Sequence, residues 1–295
     1  MQRFRVDSVR RSLTNIATWS CFTVLLLLII AFGGGTGSAA QLTAALSILA
    51  LAVHAVIALG WVEATVFAAI CLTVTFVMEN IGVLTGFPFG RYTFIVGRDM
   101  PHIGVIPMIV GPLYFGMGYA SWVIASLLIG FRVERPQSVY ALIAVPLISA
   151  FVMTQWDVVM DPSASTLSGA WIWYNSGGYF GVPLSNFLGW LLVTWLYFQG
   201  FAIYSYKRRR HDAYPLFYRL FWSLPILLYL AAGLCRLPPL LASDSTLVDA
   251  AGHIWSAADI RETAVIAMLF TMVPTSLLAL LRLVGPEGCR LSRKG

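Results

Sequence analysis

Charge is scarce in this sequence: 11% of its 295 residues are Asp, Glu, Lys or Arg, whereas 59% are hydrophobic and the mean hydropathy is +0.80. A soluble domain carries about a quarter charged residues, so that class is excluded. Cys21, Cys71, Cys235 and Cys289 are far apart, with no CxxC spacing and no sign of a disulfide framework. His54, His102, His211 and His253 are isolated, without the HxxxH or HxxHH clusters of di-iron membrane oxygenases, which argues against oxygen-dependent hydroxylation or desaturation. No GxGxxG unit follows a strand, so a flavin or nicotinamide enzyme is not indicated. Gly33-Gly34-Gly35-Thr36-Gly37 follows an apolar run and lacks the Lys of a phosphate loop; it reads as a flexible turn. There is no internal repeat and no second domain.

What is present is a series of long apolar runs. Crossing a hydrocarbon core takes roughly 20 apolar residues, and only helices or closed barrels satisfy the backbone there. Runs without strand-like alternation select helices. The sequence predicts an all-α, polytopic transmembrane bundle of about eight spans: 14–32, 40–59, 62–84, 104–130, 138–157, 182–206, 216–235 and 261–284, or seven if one segment is re-entrant. It is read as one integral membrane domain over 1–295 with short basic tails at 1–13 and 285–295. Arg3, Arg5, Arg10 and Arg11 before the first run, with Ser38-Ala39-Ala40 after it, also allow a cleavable signal, but an uncleaved first helix is the better reading. His54, mid-span, reads as a helix-to-helix hydrogen bonder.

The formal charge of +6 does not point to nucleic acid, because the basic residues flank the spans in short clusters. Arg132 and Arg135, then Lys207-Arg208-Arg209-Arg210, then Arg290, Arg293 and Lys294 all fall on one side if the N-terminus is cytoplasmic. This predicts a multi-pass protein of the cell membrane with both termini cytoplasmic. The opposite loops, after spans 3, 5 and 7, include two unusual segments, Glu79–Tyr92 and Trp156–Trp190. Topology therefore gathers Glu79, Arg91, Asp157, Asp161 and Asn186 at one membrane face.

Asp157 and Asp161 are one helical turn apart on a shared face, with Pro162 expected to close the helix just afterwards. Three readings stay open for the pair: a divalent metal with a diphosphate, a division into proton donor and water activator, or simple pairing with Arg91 or Arg98. Glu79 and Asp157 are expected at the inner edge of their spans, where an ionisable residue is by default functional. Asp161, beside a proline at a loop start, is expected to be the more exposed aspartate. Most of the nearby aromatics fit an interfacial belt, or else a pocket whose ring faces stabilise a cation.

The segments Glu79–Tyr92, with its Thr-Gly-Phe-Pro-Phe-Gly-Arg-Tyr core, Trp156-Asp157 to Asp161-Pro162, and Gly177–Trp190 resemble the carotenoid hydratases of bacteria and haloarchaea, which act on gamma-carotene or bisanhydrobacterioruberin. They cover about the central third of the chain. The resemblance implies addition of water across the terminal 1',2' double bond of an acyclic carotenoid end, with no organic cofactor and no metal. It implies a lipophilic carotenoid and membrane lipid as partners, no nucleic acid, and other carotenoid-pathway enzymes as candidate partners. A trisubstituted alkene hydrates by protonation to a tertiary cation that water captures. A carboxylic acid donates only while protonated, and removal from water favours the neutral form. Asp157 is the expected donor, with Asp161 or Glu79 acting on the water, Asn186 bonding it, and Trp156 and Trp190 flanking the cation. The remaining candidates for the substrate slot are Phe87, Phe89, Arg91, Tyr92, Trp173 and Tyr179.

Two rival readings stand. One is an intramembrane magnesium-dependent prenyltransferase, whose second acidic site would have to be Asp259 with Glu262. The other is a carotenoid-binding or transport protein without catalysis. The topology itself is testable: a reporter fused after Arg98 is expected to report the non-cytoplasmic side, and a cytoplasmic signal there would invert the whole arrangement.

Overall fold

The computed structural model describes residues 18–130, 133, 135–206, 208 and 218–285. The tail 1–13, the first residues of the expected span 14–32, His211 and Cys289 lie outside the described residues, as do Arg132, Lys207, Arg209, Arg210, Arg290, Arg293 and Lys294. The chain forms the expected helical bundle: α1 (Thr18–Phe32), α2 (Ser38–Leu59), α3 (Trp61–Thr85), α4 (Val110–Ile129), α5 (Val139–Pro162), α6 (Leu184–Ser205), α7 (Tyr218–Leu234), α8 (Ala257–Phe270) and α9 (Met272–Val284). Among the described residues, seven segments are long and apolar enough to cross a membrane, α8 and α9 counting as one, and α1 is a shorter apolar helix. Gly60 alone separates α2 from α3; its φ of 83° is one that glycine adopts without strain, and it reverses the chain there.

Strands occur as three antiparallel two-stranded ribbons: β1 (Tyr92–Phe94) with β4 (Trp171–Trp173), β2 (His102–Ile103) with β3 (Ile106–Pro107), and β5 (Thr246–Val248) with β6 (Ile254–Ser256). All three lie in the loops after α3, α5 and α7, so they sit at one end of the bundle. Helices α3, α4, α5 and α6 pack around a ring, each against the next and α6 back against α3. The end of the ring that carries the ribbons, here the outer end, holds the candidate site.

Two span boundaries differ from expectation. Span 4 starts at Val110 and not near residue 104, because residues 102–107 fold into the β2–β3 hairpin. Apolar character runs unbroken through that hairpin, so hydropathy could not find the border. Asn80 pins it, accepting from Val105 N at 2.8 Å and donating to Ile103 O at 3.0 Å. Span 5 does not end near residue 157: α5 runs through Pro162, and one π-turn carries it to Leu167.

The reason α5 continues lies in how prolines are accommodated. A proline inside a helix has no N–H to give, so the carbonyl four residues earlier loses its helical partner. In lipid no water replaces it. Pro146, Pro162 and Pro225 are the prolines inside α5 and α7, and they free Leu142, Val158 and Phe221 O respectively. Each freed carbonyl is met by a side chain from another element. Gln199 Nε2 donates to Leu142 O at 3.1 Å, Tyr179 OH to Val158 O at 3.2 Å, and His54 Nε2 to Phe221 O at 2.9 Å. Burial pushes the Tyr179 phenol up to about 12, so its proton stays available for donation. Because Phe221 O can only accept, the His54 proton sits on Nε2, and Nδ1 accepts from Tyr119 OH at 2.7 Å. His54 is thus the helix-to-helix bonder that its mid-span position suggested.

This arrangement makes a double-mutant prediction. His54→Ala should destabilise the purified protein, and Pro225→Ala should remove much of that cost by giving Phe221 O a helical partner again. A coupling near 1 kcal/mol is expected, within the range of about 0.6 to 1.7 kcal/mol for hydrogen bonds between membrane helices. Additive effects in a denaturation assay would refute the pairing.

Candidate active site

At the outer end of the ring, α3 contributes Glu79, α4 Tyr114, α5 Asp157 and Asp161, and α6 Asn186 and Trp190. Asp157, Asp161, Asn186 and Glu79 are 0%, 1%, 2% and 4% exposed. The expectation that Asp161 is the more exposed aspartate is therefore wrong. It rested on Pro162 starting a loop, whereas the Tyr179 bond to Val158 O lets the helix continue and keeps Asp161 on its buried face.

Asn186 Nδ2 donates to Asp157 Oδ2 at 2.8 Å and to Asp161 Oδ2 at 2.6 Å, tying both carboxyls to one amide. Trp171 Nε1 donates to Asp161 Oδ1 at 3.0 Å. Glu79 accepts from Tyr114 OH at 2.6 Å on Oε1 and from Tyr92 OH on Oε2. Burial and then the neighbouring Glu79 raise the Tyr92 phenol well above its ordinary value, so it remains a donor. Asp161 and Glu79 have both oxygens engaged, whereas Asp157 Oδ1 has no partner among the described residues. Arg91 and Arg98 are exposed and pair with neither aspartate, so the simple ion-pair reading fails.

The β1–β4 ribbon covers the cluster. Tyr92 pairs with Trp173 and Phe94 with Trp171 in register, and residues two apart on a strand share a face. That face carries Tyr92, Phe94, Trp171 and Trp173 together. The ribbon is fastened by Phe89, whose ring is seated between Gly82 of α3 and Gly189 of α6; a Cβ on either glycine would come within 2.7 Å or 2.6 Å of it. Ser185 Oγ holds the Phe89 carbonyl at 2.9 Å.

The third outer loop locks onto the second. Asp249 Oδ2 accepts from Ser176 Oγ at 2.6 Å and from Trp255 Nε1 at 2.9 Å, while His253 N donates to Oδ1 at 2.9 Å. Burial pushes the Asp249 carboxyl up, but these bonds outweigh it and hold it below the usual carboxylate range. The latch therefore holds above the ordinary carboxylate pKa and loosens only as pH falls through the lowered value.

Of the candidates for the substrate slot, Tyr92, Trp173, Trp190, Trp156 and Tyr179 gather around the acidic cluster. Trp156 meets Trp190 edge-on at 5.9 Å between ring centroids. Phe89 is a buried peg whose ring meets Tyr92 edge-on at 6.1 Å, whereas Phe87 is 60% exposed and Arg91 is exposed. Tyr114 was not singled out from the sequence, yet it bonds Glu79 and stacks on Trp190 at 4.4 Å with an interplanar angle of 6°. Its one visible signal is a hydroxyl in the outer turns of a span, level with Glu79 in the predicted topology. Asp259 and Glu262 are exposed at the start of α8 and stand apart from the buried acidic cluster.

Residues 39–238 match a family described as carotenoid biosynthesis proteins. The bisanhydrobacterioruberin hydratase of Haloarcula japonica is 32% identical over 151 residues, covering 49% of this chain and 48% of that protein. The match thus spans about half the length of the curated relative. No solved structure matches significantly.

The Asn186 bridge is directly testable. Leaving a buried acceptor without its donor costs about 1–3 kcal/mol, so Asn186→Leu should lower the thermal unfolding midpoint of the purified protein by several degrees. An unchanged midpoint would show that the bridge contributes nothing.

Proposed function

The chain belongs to the family of carotenoid biosynthesis proteins, and on that premise we propose that it is a hydratase adding water across the terminal 1',2' double bond of an acyclic carotenoid end group. The observation that carries the reading is the division of labour among three buried carboxyls. Both oxygens of Asp161 and of Glu79 accept hydrogen bonds, which leaves Asp157 Oδ1 as the oxygen free to hold and release a proton. A relative named as a hydratase supports the same chemistry.

In the proposed reaction Asp157 gives its proton to the less substituted alkene carbon, C2', and a tertiary cation forms at C1'. Water attacks C1' and releases a proton to Asp161, so one water is added and nothing is oxidised or reduced. The step calls for no organic cofactor and no metal. Asn186 holds the two aspartates in register throughout. Tyr114 covers one face of Trp190, leaving the other face and Trp156 for the cation, to which an aromatic ring contributes about 2 kcal/mol when desolvated. Glu79, fixed by two phenols, faces the same space as a rigid polar wall. The carotenoid reaches the cluster from the lipid phase of the cell membrane, with both chain termini cytoplasmic.

Expression in a lycopene-producing host should yield a 1-hydroxy carotenoid, a mass gain of one water. Asp157→Asn should lower that product by roughly 10²-fold or more, the range for a lost general acid, with the protein still in the membrane. Full activity of this variant would remove Asp157 from the donor role. Carotenoid that co-purifies unchanged with an inactive wild-type protein would favour the binding or transport reading.

A further inference from the structure

Two buried polar atoms at the cluster have no hydrogen-bond partner among the described residues: Asp157 Oδ1 and Trp173 Nε1. Their residues are 0% and 7% exposed. Buried polar groups are almost always satisfied, and where protein atoms fail to do it an ordered water commonly does. One such group is an accident of packing; an acceptor and a donor at the same cluster are a site.

The backbone explains why they meet. Trp171 and Trp173 project from the same face of β4, and Trp171 already donates to Asp161 Oδ1. Trp173, two pairs further along and opposite Tyr92, lies close to the Asp161 carboxyl but outside hydrogen-bond geometry. On the other side, Asn186 holds Asp157 by Oδ2, so Oδ1 is the oxygen left over. The capacity left over, an indole N–H and a carboxyl oxygen, is what one water molecule would satisfy.

Resting on the hydratase reading, we propose that this is where the reacting water is held, with the Trp173 indole N–H as the group that binds its oxygen. Until the substrate arrives, the water satisfies both orphaned atoms. Once the Asp157 proton has moved to the alkene, the water donates to the aspartates while Trp173 occupies one of its two lone pairs. The second lone pair is left for the cation. Trp173 therefore decides what becomes of the cation: captured by water it gives the alcohol, and uncaptured it returns a proton to the carboxyl, from C2' to restore the alkene or from a methyl to give its isomer.

The test separates capture from protonation. Trp173→Phe keeps the ring but removes the N–H, and membranes that hold the variant with unlabelled carotenoid can be transferred to deuterated water. The substitution should lower the alcohol about tenfold or more while the recovered alkene still gains deuterium at C2', the carbon that receives the proton. Asp157→Asn should lose both alcohol and deuterium uptake. Wild-type levels of alcohol in Trp173→Phe, or loss of deuterium uptake together with the alcohol, would overturn the proposal. A density map of the purified wild-type protein that resolves ordered water decides the same point without turnover. A peak within hydrogen-bond distance of both Trp173 Nε1 and Asp157 Oδ1 supports the site, and Trp173 bonded directly to Asp161 with no peak refutes it. If wild-type protein hydrates nothing, the hydratase reading fails, and the map still settles whether water is held there.

Discussion

Within a bilayer no water is available to finish an incomplete hydrogen bond, and the arrangement of this protein follows from that constraint. Pro146, Pro162 and Pro225 each orphan a carbonyl inside α5 or α7, and each of these carbonyls is answered from another element: Leu142 by Gln199, Val158 by Tyr179, Phe221 by His54. These bonds do two things together. They let the helices pass their prolines, and they tie α5 to α6, α5 to its own following loop, and α7 to α2.

The same constraint shapes the candidate site. Carboxyls on α3 and α5 are withdrawn from water, so each oxygen must find a donor or remain an exception. Asn186, Trp171, Tyr92 and Tyr114 supply the donors, each from a different element. The exceptions, Asp157 Oδ1 and Trp173 Nε1, then stand out as the places where an exchangeable partner fits. The ribbon above them is held by aromatic packing and by the Phe89 peg, while the Asp249 latch joins the outer loops. The cluster is thus closed toward water and bounded by rings, which suits a cation formed from an alkene.

Much of this was legible beforehand, for identifiable reasons. Hydropathy marks spans because transfer into lipid is a local property of each segment. Alternation of spans then suffices to bring Glu79, Asp157, Asp161 and Asn186 to one end. The errors lie where a distant partner changes a local outcome. Pro162 reads as a helix stop until Tyr179 answers Val158 O, and residues 102–107 read as span until Asn80 pins them as a hairpin. Phe87 and Phe89 look equivalent in the sequence, yet one is exposed and the other fills the gap between two glycines.

Composition and order alone therefore determine that this chain is a helical membrane protein with its acidic residues at one end, since both depend on residue type and on counting spans. Which carboxyl oxygen is left free, which indole N–H has no partner, and that Tyr114 joins Glu79 to Trp190 were decided only by the tertiary structure. Those outcomes depend on distances between atoms on different helices, and hydrogen bonds act only over about 3 Å, a scale that no spacing along the chain specifies.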